Sequence, residues 1–536
     1  IQAAACIGRE FNAELLAQAL PMDRRDLDDA LEQLLSAQLI FRRGSTDDAR
    51  FIFKHALVQD VAYSSLLMSA RRALHKRLAL ALERSEDPDP VELARHFHEA
   101  GVQEKAARSY LAAGRRSLGE SALPEAIGAL ELGLQAAEAL EPSENRGRLS
   151  LDLQVALGTA RMASFGWAHA SVAQALEPAF PQARKLGDED ALVSILWGLW
   201  VHYQTRTDFS RAHEWLSELE TVARERPESD LPVVYDMSAG CQYFWEADYE
   251  RAIGHTERLR GIYERNRHAR LAQLTNHDPL VFSQHWAGSL ADWIRGYPER
   301  SIDRMEEAIS LARDIGHPFN LVFALTAGAS ALIYLGEANW LLRYCDEAET
   351  VANEEALGPF SETVNITQWR GGALVQRGDY EKGYALAKKG NDFWNKSGGR
   401  ICNAMFRSWF VEGLEGLGRF DDALALNELN IAHCRQTGDC YMEPECLRKQ
   451  GELTLKTGSL DGSAAEALFR ESLQLARSHE AKSWELRAAT SLARFLKSRG
   501  ETKEAVASLE PVINWFTEGL QSQDLCRARE LLDALE

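Results

Sequence analysis

Arg377-Gly378-Asp379-Tyr380-Glu381-Lys382-Gly383-Tyr384 (RGDYEKGY) holds two glycines separated by four residues. A phosphate-cradling P-loop opens in the same way, but it needs Lys and then Ser or Thr directly after the second glycine. Tyr384 and Ala385 stand there instead, and no Gly-Lys dipeptide occurs anywhere in the chain. These glycines serve another purpose, and its period is visible on both sides. Gly296, Gly336, Gly378, Gly418, Gly458 and Gly500 follow one another at 40, 42, 40, 40 and 42 residues. Upstream, Thr207 and Ala247 extend the register at a spacing of 40, with a 49-residue step to Gly296. A second series, Gly316, Gly358, Gly398 and Gly438, interleaves with the first. Each period therefore holds two helices and two turns.

Small residues flank each mark. Seven positions upstream stand Gly240, Ser289, Ala329, Gly371, Gly451 and Ala493, with Trp200 and Val411 as exceptions. Five positions downstream stand Ala212, Ala252, Ser301, Gly383, Ala423, Ser463 and Ala505, with Leu341 as the exception. Small side chains at those two places let successive antiparallel helices approach closely, and glycine at the mark supplies the positive φ that ends a helix. The segments GALVQRGDYEKGY, GLEGLGRFDDALAL and GYPERSIDRMEEAI resemble the tetratricopeptide repeat, although the period is longer, the early Trp is absent and the closing Pro is mostly missing. The expected fold is mainly α: a small N-terminal winged helix-turn-helix at 1–70, a connecting helix at 71–86, and a tetratricopeptide-like α-α superhelix with a period of about 40 at 87–536, with divisions near 165–190 and 267–280.

Composition agrees with such an array. The chain has 536 residues, 45% hydrophobic and 26% charged, too long for one compact core and too apolar for disorder. Its net charge of −20 is the wrong sign for wrapping a phosphate backbone. No run approaches 18 consecutive apolar residues, and the start IQAAACIGREF lacks a signal peptide's basic and apolar regions, so the expectation is a cytoplasmic location without membrane contact. The start without Met, within an apparent helix, suggests a piece of a longer polypeptide. None of the eight cysteines forms C-x-x-C, and Cys434, Cys440 and Cys446, six residues apart, fit neither a zinc site nor a disulfide framework. His96 and His98 read as helix-surface or packing residues.

At the front, FNAELLAQAL and DRRDLDDALEQLLSAQLI read as helices, and LIFRR and ARFIF as a β-hairpin around Gly44–Asp48. Asp23, Asp26, Asp28, Asp29 and Glu32 outnumber Arg24 and Arg25 on the would-be recognition helix, which argues against nucleic acid. QAAACIGREF, LIFRRG and FIFKHALVQDVAYSSLLMSARRALHKRLALALE resemble the winged-helix segment of bacterial STAND-type signalling ATPases. The C-terminal AKSWELRAATSLARFLKSRGETKEAVASLEPVINWFTEGLQSQDL resembles the end of bacterial proteins with a class III adenylate/guanylate cyclase domain, an AAA-type ATPase module and tetratricopeptide repeats. The resemblance implies that cyclase and P-loop lie upstream of Ile1 and that ATP and Mg belong there. It also implies a sensor array relaying to an upstream ATPase module through the winged helix. No Ser/His/Asp set, Gly-rich phosphate loop or carboxylate pair stands out in this stretch, so neither catalysis nor a cofactor or metal is expected of it.

On a tetratricopeptide template the concave wall runs from Trp197, Phe244, Trp245, Trp286, Trp293 and Tyr334 through Gln368 and Glu412 to Arg448, Arg487, Arg494 and Lys497. An aromatic-to-basic wall suits a protein or an extended peptide with an acidic end, or a small amphipathic effector. The alternative for the tryptophans is inter-helix core. His277 and Asp278 could form a dyad, but a helix-capping Asp is the simpler account. The competing function is a transcriptional regulator whose winged helix binds DNA and whose array binds an inducer.

Overall fold

The computed structural model describes residues 1–43, 50–355, 357–358, 361–458 and 462–535. It is about 79% helical, with a few short strands. The chain divides into two compact units, Ile1–Ala160 and Arg161–Glu536, the division falling in the sequence of the helix Glu144–Phe165. The expected turn at Gly44–Asp48 lies outside the described residues.

The first unit opens with α1 (Gln2–Ile7), β1 (Glu10–Asn12), α2 (Ala13–Ala19), α3 (Arg24–Ser36), β2 (Ile40–Arg43), β3 (Arg50–Phe53) and α4 (Ala56–Ser64). The expected hairpin is one part of a three-stranded antiparallel sheet, order β1-β3-β2. The helix read from Phe11 begins two residues later, because the Asn12 side chain accepts the Leu15 N–H at 2.7 Å and caps it. Phe11 is left extended, opposite Phe51. Strand alternation turns Phe11, Ile40, Phe51 and Phe53 into the core and Phe41 outward. Leu16, Leu27 and Leu31 close over them, with Leu78 from α5 (Met68–Leu82).

Helix pairs follow: α6 (Pro90–Glu99), α7 (Gln103–Gly119) and α8 (Leu123–Glu138). His96 of α6 is fully buried, its Nδ1 2.8 Å from Nδ1 of His75 in α5. Burial pushes His75 down to about 4, with Glu99 opposing, and His96 down to about 3, with Arg95 reinforcing. Below about pH 6.5 the unfolded chain binds protons that this folded pair does not. The pair's contribution is therefore complete above that pH and is lost as the pH falls toward 4, by at most about 1.4 kcal/mol per pH unit for each ring. Amide exchange protection in α5 and α6, corrected for intrinsic rate, is expected to fall between pH 7 and 5. In the His75→Gln/His96→Gln protein that fall should disappear.

The second unit is a run of antiparallel helix pairs. Gly296, Gly336, Gly378, Gly418, Gly458 and Gly500 all have positive φ, and so do Thr207 (57°) and Ala247 (60°) in the same register. At RGDYEKGY the helices Gln368–Arg377 and Tyr380–Lys396 meet at Gly378, whose φ is 95°. A Cβ on Gly371 would lie 2.2 Å from the Ala387 backbone nitrogen, and one on Gly383 would lie 2.8 Å from the Gly371 carbonyl oxygen. The second glycine of the motif is thus the contact point between two helix backbones. The 49-residue step is taken up by short helical pieces at Arg265–His268, Ala269–Leu271 and Ala272–Thr275 and by a π-helical stretch, Gln284–Leu290.

Among the described residues, Pro318–Leu335 alone is long and apolar enough to cross a membrane, against the reading that no segment approached this. It is broken into helices Pro318–Leu325 and Ala331–Leu335 around a 3-10 turn, and is mostly buried within the array.

Candidate functional site

The small rotation between neighbouring pairs accumulates until the array meets itself. The Thr205 carbonyl accepts the N–H groups of Arg400 (2.8 Å) and Ile401 (3.1 Å), and the Trp245 carbonyl accepts that of Cys440 at 3.2 Å. The Ser483 hydroxyl donates to the Trp293 carbonyl at 2.5 Å. Each joined pair lies 190 to 196 residues apart, so nearly five 40-residue periods complete one coil, and the next coil rests on it.

That closure decides the fate of the aromatic half of the wall. Trp197, Trp245, Trp286 and Trp293 are all buried. Trp245 packs against Trp286 (4.9 Å) and Tyr441 (5.3 Å), while Trp293 stacks on Tyr334 (4.7 Å) and meets Trp484 edge-on (4.8 Å). Trp245 and Trp286 border a void of only about 60 Å³. Gln368 is also buried, against Gly390, with neither side-chain polar atom partnered. These five side chains are interior to the coil rather than spread along an open groove. His277 sits among Trp167, Phe282, Phe319 and Phe323, and Asp278 accepts the Leu280 and Val281 N–H groups as a helix cap, so the two form no dyad.

The basic half borders open space. Arg448, Arg487 and Arg494 line one cavity of about 630 Å³, together with Tyr334, Glu412 and Trp409. Its floor is an ion-pair network on the helices Glu443–Thr457 and Lys482–Ser498. Arg448 donates to Glu445 (2.7 and 2.8 Å) and Ser491 (3.1 Å) and pairs with Glu452. Arg487 donates to Asp524 (2.7 Å) and the Tyr334 carbonyl (3.0 Å), and lies 3.4 Å from Glu445. Lys449 and Lys456 converge on Glu415. Burial would raise Glu445 and Glu415, but Arg448 and Arg487 around the first and Lys449 and Lys456 around the second hold both carboxyls below their ordinary value.

Other groups in the cavity are left without partners. Glu412 makes no hydrogen bond or ion pair among the described residues, and burial raises its carboxyl, partly offset by Lys449. The buried Trp409 Nε1 and the Gln376 Oε1 also have none. Arg494 is exposed and approaches only Glu452, at 3.9 Å. Arg527, from the helix Gln523–Asp533, is exposed and unpaired among the described residues. Arg527 escaped sequence reasoning because the template places first-helix residues, whereas the cavity also takes in the last helix; Gln376 and Trp409 lie on the first helices Gln368–Arg377 and Asn403–Gly416, at positions other than the Gln368 and Glu412 that the template picked.

No family model matches the chain. It is 22% identical over 506 residues to an uncharacterized protein of Rhizobium meliloti, covering 92% of this chain and 48% of that one. It thus spans about half the length of that curated relative. Among solved structures it is similar to a Rap protein complexed with Competence and Sporulation Factor (11% identity, TM-score 0.46, 72% of this chain and 99% of that chain). It is also similar to a signal-transduction ATPase (STAND) protein with a tetratricopeptide repeat sensor from Pyrococcus horikoshii (11%, 0.31, 100% and 64%) and to yeast Tom70 (14%, 0.32, 86% and 91%).

Among the described residues no group of three or more His, Cys, Asp or Glu side chains is placed to hold a metal ion. All eight cysteines are free. Cys434 and Cys446 stand opposite each other on the helices Phe420–Thr437 and Glu443–Thr457, and a hydrogen bond to Cys446, with burial, raises the Cys434 thiol.

Proposed function

We propose that residues 87–536 are a non-catalytic receptor array, tetratricopeptide-like in its packing, that binds a protein or peptide in the cavity around Arg448 and Arg487. The observation that carries this reading is the cavity itself. In a coil whose inner face is filled by aromatic packing farther back along the chain, it keeps open about 630 Å³ walled by charged groups, among them two exposed arginines, Arg527 with no ion pair among the described residues and Arg494 with only a 3.9 Å approach to Glu452. Clefts of this size with a few directed polar groups are where ligands bind.

In this reading residues 1–70 are a winged helix, supported by three helices and a three-stranded sheet in the order α1-β1-α2-α3-β2-β3. Residues 71–86 connect it to the array, and the pair relays ligand binding to a nucleotide-dependent signalling module of the STAND or cyclase class elsewhere in the whole protein. The sequence resemblances at both ends support that assignment. The DNA-binding alternative is disfavoured by α3, whose solvent face carries Asp23, Asp26, Asp28, Asp29 and Glu32, while Arg24 is already paired with Glu14 and Asp28.

A photo-crosslinking side chain placed at Arg494 of the full chain tests the site. A peptide or protein should be captured from lysate there and not from the same group placed at Lys396. Equal capture at both positions, or none at Arg494, would overturn the reading.

A further inference from the structure

The cavity's unsatisfied groups are of two opposite kinds. Donors open to a ligand are the exposed guanidinium groups of Arg527 and of Arg494, whose one ion pair is a 3.9 Å approach to Glu452, and the buried Trp409 Nε1–H; acceptors are the half-buried Glu412 carboxyl and the Gln376 Oε1. A ligand carrying only negative charge leaves both acceptors unmet. A polyamine leaves the arginines and the indole unmet. Only a ligand with an ammonium or guanidinium at one end, a carboxylate at the other and amide groups between meets all five; of these the Trp409 Nε1 and the Gln376 Oε1 are buried, and leaving a buried polar group unmet is costly.

Resting on the receptor reading above, we propose that the cavity takes a short amphoteric peptide, with its cationic end on Glu412 and its carboxylate between Arg494 and Arg527. The Trp409 indole donates to a peptide carbonyl and Gln376 accepts a peptide N–H. About 630 Å³, roughly the share of twenty water molecules in the liquid, accommodates a peptide of a few residues. Glu412 faces Lys449 and Arg487, which favour its charged form, and Glu445 and Glu415, which oppose it. Burial dominates and raises it, and an arriving ammonium lowers it again by favouring the charged form. Affinity therefore rises with pH across the Glu412 titration.

The test is affinity selection by the full chain from a synthetic library of randomised tripeptides with free termini, beside the same library N-acetylated and the same library C-amidated. Free peptides should be retained, and acetylation should weaken retention roughly tenfold or more for sequences without Lys or Arg. Glu412→Gln should abolish both that discrimination and the rise of affinity with pH. Arg494→Ser/Arg527→Ser should abolish discrimination against the amidated library. Glu412 makes no hydrogen bond or ion pair among the described residues and both arginines are exposed, so the melting temperatures of these variants should change little, and circular dichroism checks this. Equal retention of blocked and free peptides overturns the assignment of Glu412 and the arginines while leaving the cavity a peptide site. Retention of no peptide at all overturns the assignment and the receptor reading together.

Discussion

Gly371→Leu is expected to open the helix pair Gln368–Arg377/Tyr380–Lys396, with loss of amide exchange protection centred on these two helices. The added Cβ would lie 2.2 Å from the Ala387 nitrogen and 2.7 Å from its Cα. Both are backbone atoms, so no rotamer change relieves the clash and the helices must separate. Overpacking that side chains can absorb costs about 1–3 kcal/mol, and this case should exceed about 3. Gly378→Ala, seven residues on, is the contrast. Nothing lies within 4 Å of a Cβ there, and only the 95° φ opposes it. About 1–2 kcal/mol is then the ceiling, and Thr207 and Ala247 already occupy equivalent turns with positive φ. Urea unfolding of the full chain measures both. Equal destabilisation by the two substitutions would show that RGDYEKGY acts through its turn alone and not through helix contact.

The same two glycines show what the sequence could reveal. The turn at Gly378 and the contact at Gly371 and Gly383 are requirements within one helix pair, and every pair repeats them, so a period of 40 to 42 exposes them. Coil closure is different in kind. It depends on the sum of small rotations over nearly five pairs, and no single pair encodes the moment when Thr205 reaches Arg400 or Trp245 reaches Cys440. A template with an open groove therefore placed Trp197, Trp245, Trp286 and Trp293 on a wall that the next coil covers. Arg448, Arg487 and Arg494 lie farther along the chain and still border open space. At the front, β1 was hidden by its length: three residues carry little alternation, and their partner strand begins 38 residues after Asn12.

Arg448→Met is expected to cost the second unit about 3–5 kcal/mol at pH 7, the usual penalty for removing one partner of a buried ion pair. Arg448 is the centre of the cavity floor, donating to Glu445 and Ser491 and pairing with Glu452. Methionine fills the space but leaves the buried Glu445 and half-buried Glu452 carboxylates without their shared partner, with Arg487, Lys449 and, at 3.9 Å, Arg494 as the remaining cations. The sign of the pH effect separates this from ordinary loss of packing. In the native chain Glu445 and Glu452 are held below their unfolded value, so their contribution is present above about pH 4.3 and is lost as the pH falls. In the variant, burial without Arg448 raises both, which makes them a burden above that pH and relieves it as they protonate. The difference in urea unfolding free energy between native and variant chains should therefore shrink from pH 7 to pH 4.5. A difference that stays constant over this range would mean that Arg448 contributes through the packing of its stem, and that the charges of the floor are already balanced by Arg487 and Lys449.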